Sequence, residues 1–216
     1  MKINKDIRFL AVEGLIGVGK TSLAKVLAER LEATFLEEMF EENPFLEKFY
    51  QQPEEYAFQT QLFFLLSRHR QLMDTFLQND LFRNLIISDY TFDKDRIFAL
   101  QNLSDDEMYM YDAVLKTLDS NVPRPDYIIY LQAGVETLIN QIKGRNRPME
   151  KAIEGNYLRD LLERYDHHFW HYSDCPVLII NTDKVDFVRN ENHLNQILKV
   201  IESWPSQTTY FIPEGS

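Results

Sequence analysis

The segment that most constrains the fold of this chain is the glycine-rich octapeptide at residues 14–21, which reads GLIGVGKT. It satisfies the pattern G-x-x-x-x-G-K-[ST] and follows an apolar run at residues 7–12, which predicts a strand–loop–helix unit. Three of the seven glycines of the chain lie in this loop, where backbone amides must point inward around a phosphate group. The pattern therefore predicts a parallel α/β fold with a phosphate-binding loop.

We expect the loop to bind ATP. The predicted nucleotide-binding residues are Gly14, Leu15, Ile16, Gly17, Val18, Gly19, Lys20, Thr21 and Ser22. Lys20 would contact the β- and γ-phosphates, and the Thr21 hydroxyl would ligate Mg²⁺. A glycine-rich turn without a ligand is the alternative, which the low chance frequency of this pattern disfavours. The loop does not establish kinase activity, because switches, motors and ATPases share it.

The rest of the chain has the alternation of strands and helices that such a loop requires. Short apolar runs typical of buried strands occur at residues 7–12, 34–36, 85–88, 127–131 and 177–180. Helical spacing occurs at residues 22–31, 57–77, 106–118, 135–143, 157–171 and 192–203. This order predicts a five-stranded parallel sheet with helices on both faces. A chain of 216 residues fits one domain, assigned to residues 1–204, with a C-terminal tail at 205–216 that is docked through Tyr210 and Phe211 or disordered.

Composition narrows the partners and the compartment. The formal net charge is -11 and no basic stripe is present, which argues against nucleic acid as a partner. The single cysteine, Cys175, excludes an intramolecular disulfide and a Cys-based zinc site. Since no run resembles a signal peptide or a membrane span, we expect a cytoplasmic protein with small-molecule substrates.

Six stretches carry a family resemblance: AVEGLIGVGKTSLA, NPFLEKFY, YAFQTQLFFLLSRHRQ, SDYTFDKDRIFAL, PDYIIYL and KGRNRPMEKAI. They resemble the deoxynucleoside kinase family, especially its bacterial deoxyadenosine/deoxyguanosine kinase branch, along nearly the whole chain. The resemblance implies a P-loop kinase fold with an arginine-bearing lid, acting as a homodimer in nucleotide salvage. The implied reaction is ATP-dependent phosphorylation of the 5′-hydroxyl of a deoxynucleoside.

The resemblance implies a glutamate just after the second strand as the group that accepts the proton of the 5′-hydroxyl. Glu38, which ends the run TFLEE, fits best, and Met39-Phe40 follows it where Pro-Val is common. The other acids of this segment are close competitors, namely Glu37, Glu41 and Glu42. A run of acids is also typical of a solvated surface.

The implied nucleoside-binding residues begin with Tyr50, Gln61 and Arg68, which match deoxycytidine-accepting members of the family without a gap. Gln61 and Arg68 are two helical turns apart and share a face, whereas Gln59 points the other way. In the family the tyrosine contacts the 3′-hydroxyl, and the glutamine and arginine contact the base edge. The alternative is a polar stripe on an exposed helix.

Asp89 follows the third predicted strand, where ligand sites of parallel sheets concentrate, and it resembles the acidic residue that supports Mg²⁺ in the family. The Arg-Ser that commonly comes next is replaced by Tyr90-Thr91. Lys94 or Arg96 could supply the missing charge. Asp95 matches the base-contacting aspartate when Asp89 is held in register.

The cluster Lys143, Arg145 and Arg147 resembles the arginine-rich lid that closes over the transferring phosphoryl group. Arg145 and Arg147 are therefore predicted to be catalytic, and Glu150 resembles the lid glutamate that contacts the 3′-hydroxyl. Basic residues at the end of a helix also serve as partners of the helix dipole.

Two other functions share the loop. A nucleoside monophosphate kinase of the thymidylate type typically has an Asp-Arg pair after the third strand, where this chain has Asp89-Tyr90. A GTPase-like switch would carry an N-K-x-D segment, which is absent from the sequence. Among deoxynucleosides, we expect deoxyadenosine or deoxyguanosine to be preferred to thymidine, with deoxycytidine as an alternative.

Overall fold

The computed structural model describes residues 7–79, 84–145, 147, 150, 153–203 and 206–214. Within these residues, the elements in chain order are β1 (Phe9–Gly14), α1 (Lys20–Leu31), β2 (Thr34–Leu36), a 3₁₀ turn (Phe40–Glu42), α2 (Leu46–Gln51), α3 (Pro53–Asn79), β3 (Ile86–Ser88), α4 (Lys94–Asn102), α5 (Asp105–Asp119), β4 (Tyr127–Gln132), α6 (Val135–Arg145), α7 (Gly155–Trp170), β5 (Val177–Asn181), α8 (Glu191–Ile201) and β6 (Thr209–Phe211). None of the helices in these ranges combines the length and apolarity that crossing a membrane requires.

The strands form one parallel sheet in the order β2-β3-β1-β4-β5-β6. Strands β1 and β4 are buried along almost their whole length, as are the first four residues of β5. Burial on both faces of a parallel sheet explains why these strands read as continuous apolar runs. The predicted parallel α/β sheet is therefore confirmed, and the five predicted strands lie within about two residues of their expected bounds.

The predicted number of strands is wrong by one among the described residues. Strand β6 lies in the segment that the sequence assigns to a tail, and it pairs with β5 through Leu178↔Thr209 and its two neighbours. The strand has three residues with only partial burial, so it has no apolar run to mark it. Trp204, the last residue of the predicted domain, lies outside the described residues.

Helix α3 carries several buried polar side chains. It begins with Pro53, whose missing amide hydrogen costs nothing in the first turn. Its buried side chains recur at helical spacing and include polar ones: Ala57, Thr60, Gln61, Leu65, Arg68 and Leu72. The short helices α2 and α4 escaped the sequence prediction, since neither is long enough to show a clear period.

The carboxyl ends of the strands meet along one edge of the sheet. At this edge β1 leads into the phosphate loop, β2 leads to Glu38, and β3 leads to Asp89. Ligands of open α/β sheets bind at this edge. The topology therefore brings together segments that are far apart in the sequence.

Candidate active site

The phosphate loop has the backbone that its glycines predict. Gly17 and Gly19 have φ angles of 96° and 100°, which residues with a side chain rarely adopt. A Cβ atom on Gly19 would lie 2.7 Å from the ring of Phe187. The Lys20 ammonium donates to the carbonyl of Leu15 at 3.0 Å. Burial and the ammonium of Lys94 lower the pKa of Lys20 to about 8. Such a shift is expected where cations lie close together, as they do in a site that binds an anion.

Two oxygen-bearing side chains meet at the start of α1. Thr21 Oγ1 donates to Asp89 Oδ2 at 2.5 Å, and Asp89 Oδ1 accepts from the backbone amide of Glu38 at 2.8 Å. The lone pairs of the Thr21 oxygen stay free while its proton is held by Asp89. Oxygen ligands of this kind suit Mg²⁺, which fills its remaining positions with phosphate oxygens and water.

Glu38 lies between two cations. Its Oε1 accepts from Arg68 Nε at 2.9 Å and Nη2 at 2.5 Å, and its Oε2 accepts from Lys94 Nζ at 2.5 Å. Burial opposes ionisation of this carboxylate, but Lys94 and Arg68 outweigh it and lower the pKa of Glu38 well below its usual range. Glu38 is therefore a carboxylate at neutral pH, able to accept a proton and held in one orientation.

The competing acids of this segment are placed differently. Glu37 is half-exposed and pairs with Lys25 at 3.0 Å. Glu41 and Glu42 are in the exposed 3₁₀ turn and do not line the cavity described below. Of the four acids, Glu38 makes the buried contacts with cations.

Arg68 connects Glu38 to a second buried carboxylate. Its Nη1 lies 2.6 Å from Asp95 Oδ1, as an ion pair without a well-aligned hydrogen bond. Asp95 is fully buried, and burial raises its pKa to about 7 although Arg68 opposes the shift. Asp95 does not line the cavity and lies beneath Arg68.

The structure distinguishes the two cations that follow Asp89. Lys94 is 5% exposed and contacts Glu38, whereas Arg96 is half-exposed and bonds to Asp112 at 3.3 Å. Tyr90 is fully buried and donates from its hydroxyl to Gln71 on α3. Position 90 therefore contributes to packing, and the ammonium of Lys94 lies in the site.

Polar atoms without hydrogen-bond partners mark the nucleoside end of the site. Gln61 Oε1 and Glu150 Oε2 are both buried and unpartnered. Gln61 comes from α3, on the buried face that it shares with Arg68, while Gln59 is exposed. Tyr50 and Tyr157 line the same region. Buried polar atoms are normally satisfied, so these two oxygens are acceptors available to a ligand.

The described residues of the predicted lid lie near the nucleoside end of the site. The Arg147 guanidinium lies 4.6 Å from the ring centroid of Phe40, and its Nη1 donates to Glu150 Oε1 at 3.3 Å. Arg145, the last residue of α6, lines the cavity, whereas Lys143 is exposed and does not. Residues 146, 148–149 and 151–152 of the lid stretch lie outside the described residues.

A cavity of about 460 Å³ joins the phosphate loop to the nucleoside end. Most of the predicted site residues line it: Ile16, Gly17, Lys20, Thr21, Ser22, Glu38, Tyr50, Gln61, Arg68, Asp89, Arg145, Arg147 and Glu150. The other predicted loop residues, Gly14, Leu15, Val18 and Gly19, do not line it. The volume lies in the range of small-molecule sites.

One buried acid was missed by the sequence prediction. Glu13 is fully buried in β1 and bonds to Thr91, next to the segment that carries Asp89 and Lys94. The available signal was an acid at the end of an otherwise apolar strand. The spacing of residues along the sequence does not show which side chain such an acid will contact.

Comparison with known proteins gives one consistent result. Residues 10–204 match the family model described as "Deoxynucleoside kinase". The chain is 37% identical over 196 residues to a deoxyguanosine kinase of Bacillus subtilis (strain 168), covering 88% of this chain and 93% of the relative. It is 32% identical to a deoxyadenosine/deoxycytidine kinase of the same organism, covering 90% and 91%. A solved deoxyadenosine kinase from M. mycoides with bound dCTP superposes with a TM-score of 0.75 at 25% identity, covering 90% of this chain and 99% of the other.

Proposed function

The chain belongs to the deoxynucleoside kinase family, and from that premise we propose that it transfers the γ-phosphoryl group of ATP to the 5′-hydroxyl of deoxyadenosine or deoxyguanosine. The observation that carries the proposal is the place of Glu38. Its carboxylate, bound by Lys94 and Arg68, lies in the cavity that the phosphate loop also lines. A 5′-hydroxyl beside Glu38 would therefore face a phosphate held by the loop.

In the proposed mechanism, Glu38 orients the 5′-hydroxyl and accepts its proton as the hydroxyl oxygen bonds to the γ-phosphorus. The bond from that phosphorus to the bridging oxygen breaks in the same step, and ADP leaves with that oxygen. A lowered pKa makes Glu38 a weak base, but a loose phosphoryl transfer asks mainly for positioning and charge stabilisation. Lys20 and Lys94 place positive charge near the transferring group. Arg145 and Arg147 add charge from the lid and exclude water.

Thr21 and Asp89 are the proposed magnesium site. The 2.5 Å bond between them fixes the Thr21 oxygen with its lone pairs free. Mg²⁺ in phosphoryl-transfer sites is usually bound through only one or two protein ligands together with the substrate phosphates, so Thr21 and Asp89 would be enough on the side of the protein. Bound Mg²⁺ supplies charge neutralisation on the phosphate oxygens.

For the acceptor, we assign Gln61 and Arg68 to the base, with Asp95 acting on the base through its ion pair with Arg68, and Tyr50 and Glu150 to the 3′-hydroxyl. The unpartnered oxygens of Gln61 and Glu150 support this division. A ligand that leaves such groups unpaired loses about 1 to 3 kcal/mol per group.

A nucleoside panel tests the proposal. kcat/KM is measured with ATP and Mg²⁺ for the four deoxynucleosides and for thymidine monophosphate. We expect deoxyadenosine or deoxyguanosine to give the highest value. A preference for the monophosphate would overturn the nucleoside-kinase assignment, and ATP hydrolysis unaffected by any nucleoside would indicate a switch. Deoxycytidine as the best acceptor would correct the base preference alone.

Helix α3 offers a matched pair of variants for the base assignment. Gln61→Ala should lower kcat/KM for the preferred purine nucleoside by at least about tenfold, because it leaves a base-edge group unpaired. Gln59→Ala changes the same residue type on the exposed face of the helix and should stay within about twofold of wild type. Equal losses in the two variants would contradict the assignment of Gln61.

We also propose a homodimer in the cytoplasm. Large apolar side chains are exposed at Leu66 on α3 and at Tyr109 and Met110 on α5, and the two helices pack against each other. A free, buried Cys175 suits a reducing compartment. Light scattering after size exclusion tests the dimer, and a monomeric mass at micromolar concentration would refute it.

A further inference from the structure

Glu13 makes contacts that the proposed reaction does not use directly. It is the fifth residue of β1, immediately before the first glycine of the phosphate loop, and it is fully buried. Its carboxylate does not line the cavity. Any effect of Glu13 on the reaction must therefore act through its neighbours.

Three donors surround this carboxylate. Oε1 accepts from the backbone amide of Thr91 at 2.6 Å and from the Thr91 hydroxyl at 3.0 Å, and Oε2 accepts from the amide of Gly14 at 3.0 Å. Two of these donors are backbone amides, which can only donate. Burial raises the pKa of Glu13 above its usual value, although Lys94 and Lys20 oppose the shift. The set of donors matches an ionised carboxylate.

The hydrogen bonds between Glu13 and Thr91 lie at a point in the sheet where two neighbouring strands stop pairing. The backbone pairing of β1 with β3 ends at Ala11↔Ser88. Beyond it, β1 runs into the phosphate loop and β3 runs into residues 89–93, which have no regular structure before α4 begins. The Glu13–Thr91 bonds connect these diverging segments where the backbone ladder has stopped.

Each segment carries half of the site. Lys20 and Thr21 are the last two residues of the loop, and Asp89 and Lys94 flank Thr91 in the sequence. The two halves meet at the 2.5 Å contact between Thr21 and Asp89, and Lys94 reaches Glu38 at 2.5 Å. A displacement of about 1 Å at such contacts can cost about 100-fold in rate.

We propose that Glu13 is a positioning residue that fixes the phosphate loop against the segment bearing Asp89 and Lys94. The inference rests on the proposed function, because it assigns those side chains to phosphoryl transfer. Its physical basis is a buried carboxylate that bonds to both segments at once. A positioning role predicts a loss in kcat without a comparable change in the KM for the nucleoside.

The test compares Glu13→Gln with a matched control at the other end of the same strand. Asp126 Oδ2 accepts from the amides of Arg8 and Phe9 at 2.8 and 2.9 Å, so Asp126→Asn removes a similar carboxylate–backbone link far from the loop. We expect Glu13→Gln to lower kcat per folded protein at least about tenfold, with the nucleoside KM within about threefold. Asp126→Asn should change Tm but leave kcat within about twofold.

Thr91 variants keep the proposal testable if Glu13→Gln does not fold. Thr91→Val removes only the hydroxyl bond to Glu13 and should lower kcat several-fold, and Thr91→Ser, which keeps the hydroxyl, should recover most of it. If Glu13 acts through Thr91, combining Thr91→Val with Glu13→Gln will lower kcat no further than Glu13→Gln alone does. Independent losses would mean that Glu13 does not act through Thr91.

Two outcomes separate this inference from the proposed function. If wild type is active and either Glu13→Gln or Thr91→Val has a normal kcat per folded protein, only the positioning role is overturned. If wild type phosphorylates no deoxynucleoside, the proposed function fails and takes the positioning role with it.

Discussion

Replacing Lys94 by methionine tests the charge arrangement around Glu38. The Lys94 ammonium donates to Glu38 Oε2 at 2.5 Å and is 5% exposed. A hydrogen bond to a charged group contributes about 1.5–3 kcal/mol, which corresponds to about 10- to 150-fold in rate. We therefore expect kcat to fall by that factor, through a less well oriented Glu38 and a lost positive charge near the phosphoryl group.

The stability of the same variant should change much less. Methionine keeps the packing of the lysine stem, whose ammonium lies 5.9 Å from the ring centroid of Phe98. Glu38 keeps Arg68 as a partner, so its charge is not left unpaired. Because the buried ammonium also costs desolvation, the free energy of unfolding should stay within about 1 kcal/mol of wild type.

The assay is steady-state phosphorylation of the preferred deoxynucleoside, with denaturant unfolding measured on the same samples. Arg96→Met is the control, since Arg96 lies two residues away and pairs with Asp112 at the surface. It should retain kcat within about twofold. A Lys94→Met enzyme with kcat within about threefold of wild type, or an Arg96→Met enzyme that loses as much activity, would refute the role of Lys94.

Three further changes have defined outcomes. Glu38→Gln should lower kcat at least about 100-fold, with the nucleoside KM within a few-fold, because the variant loses the proton acceptor and also the charge that orients Lys94 and Arg68. Near-normal turnover would remove Glu38 from that role. Lys20→Ala should impair both ATP binding and turnover, measured by ATP titration and single-turnover kinetics, and full activity would refute the loop assignment. The Tm of Asp95→Asn minus the Tm of wild type should be more positive at pH 8 than at pH 5. Burial raises the folded-state pKa of Asp95 from 3.8 to about 7, so the wild type loses stability as pH rises through that window, and a pH-independent difference in Tm would contradict the shift.

The sequence was sufficient for features that depend on neighbouring residues. The phosphate loop is such a feature, because its glycines, its lysine and its threonine must occur at fixed spacing. The buried parallel strands are another, since burial on both faces requires unbroken apolar runs. Strand β6 and the short helices α2 and α4 escaped prediction because three to nine residues carry little periodicity.

The sequence alone also placed Glu38, Gln61 and Arg68 near a common site, through the position of Glu38 just after a predicted strand, helical spacing and family resemblance. It left Lys94 and Arg96 as alternatives, because both lie early in a helix whose start was not predicted. Only the tertiary structure directs Lys94 to Glu38 and Arg96 to Asp112. The contacts of Glu13 depend entirely on the tertiary structure. Its partner Thr91 is 78 residues away and meets it only because β1 and β3 are neighbours in the sheet, a pairing that no local pattern encodes.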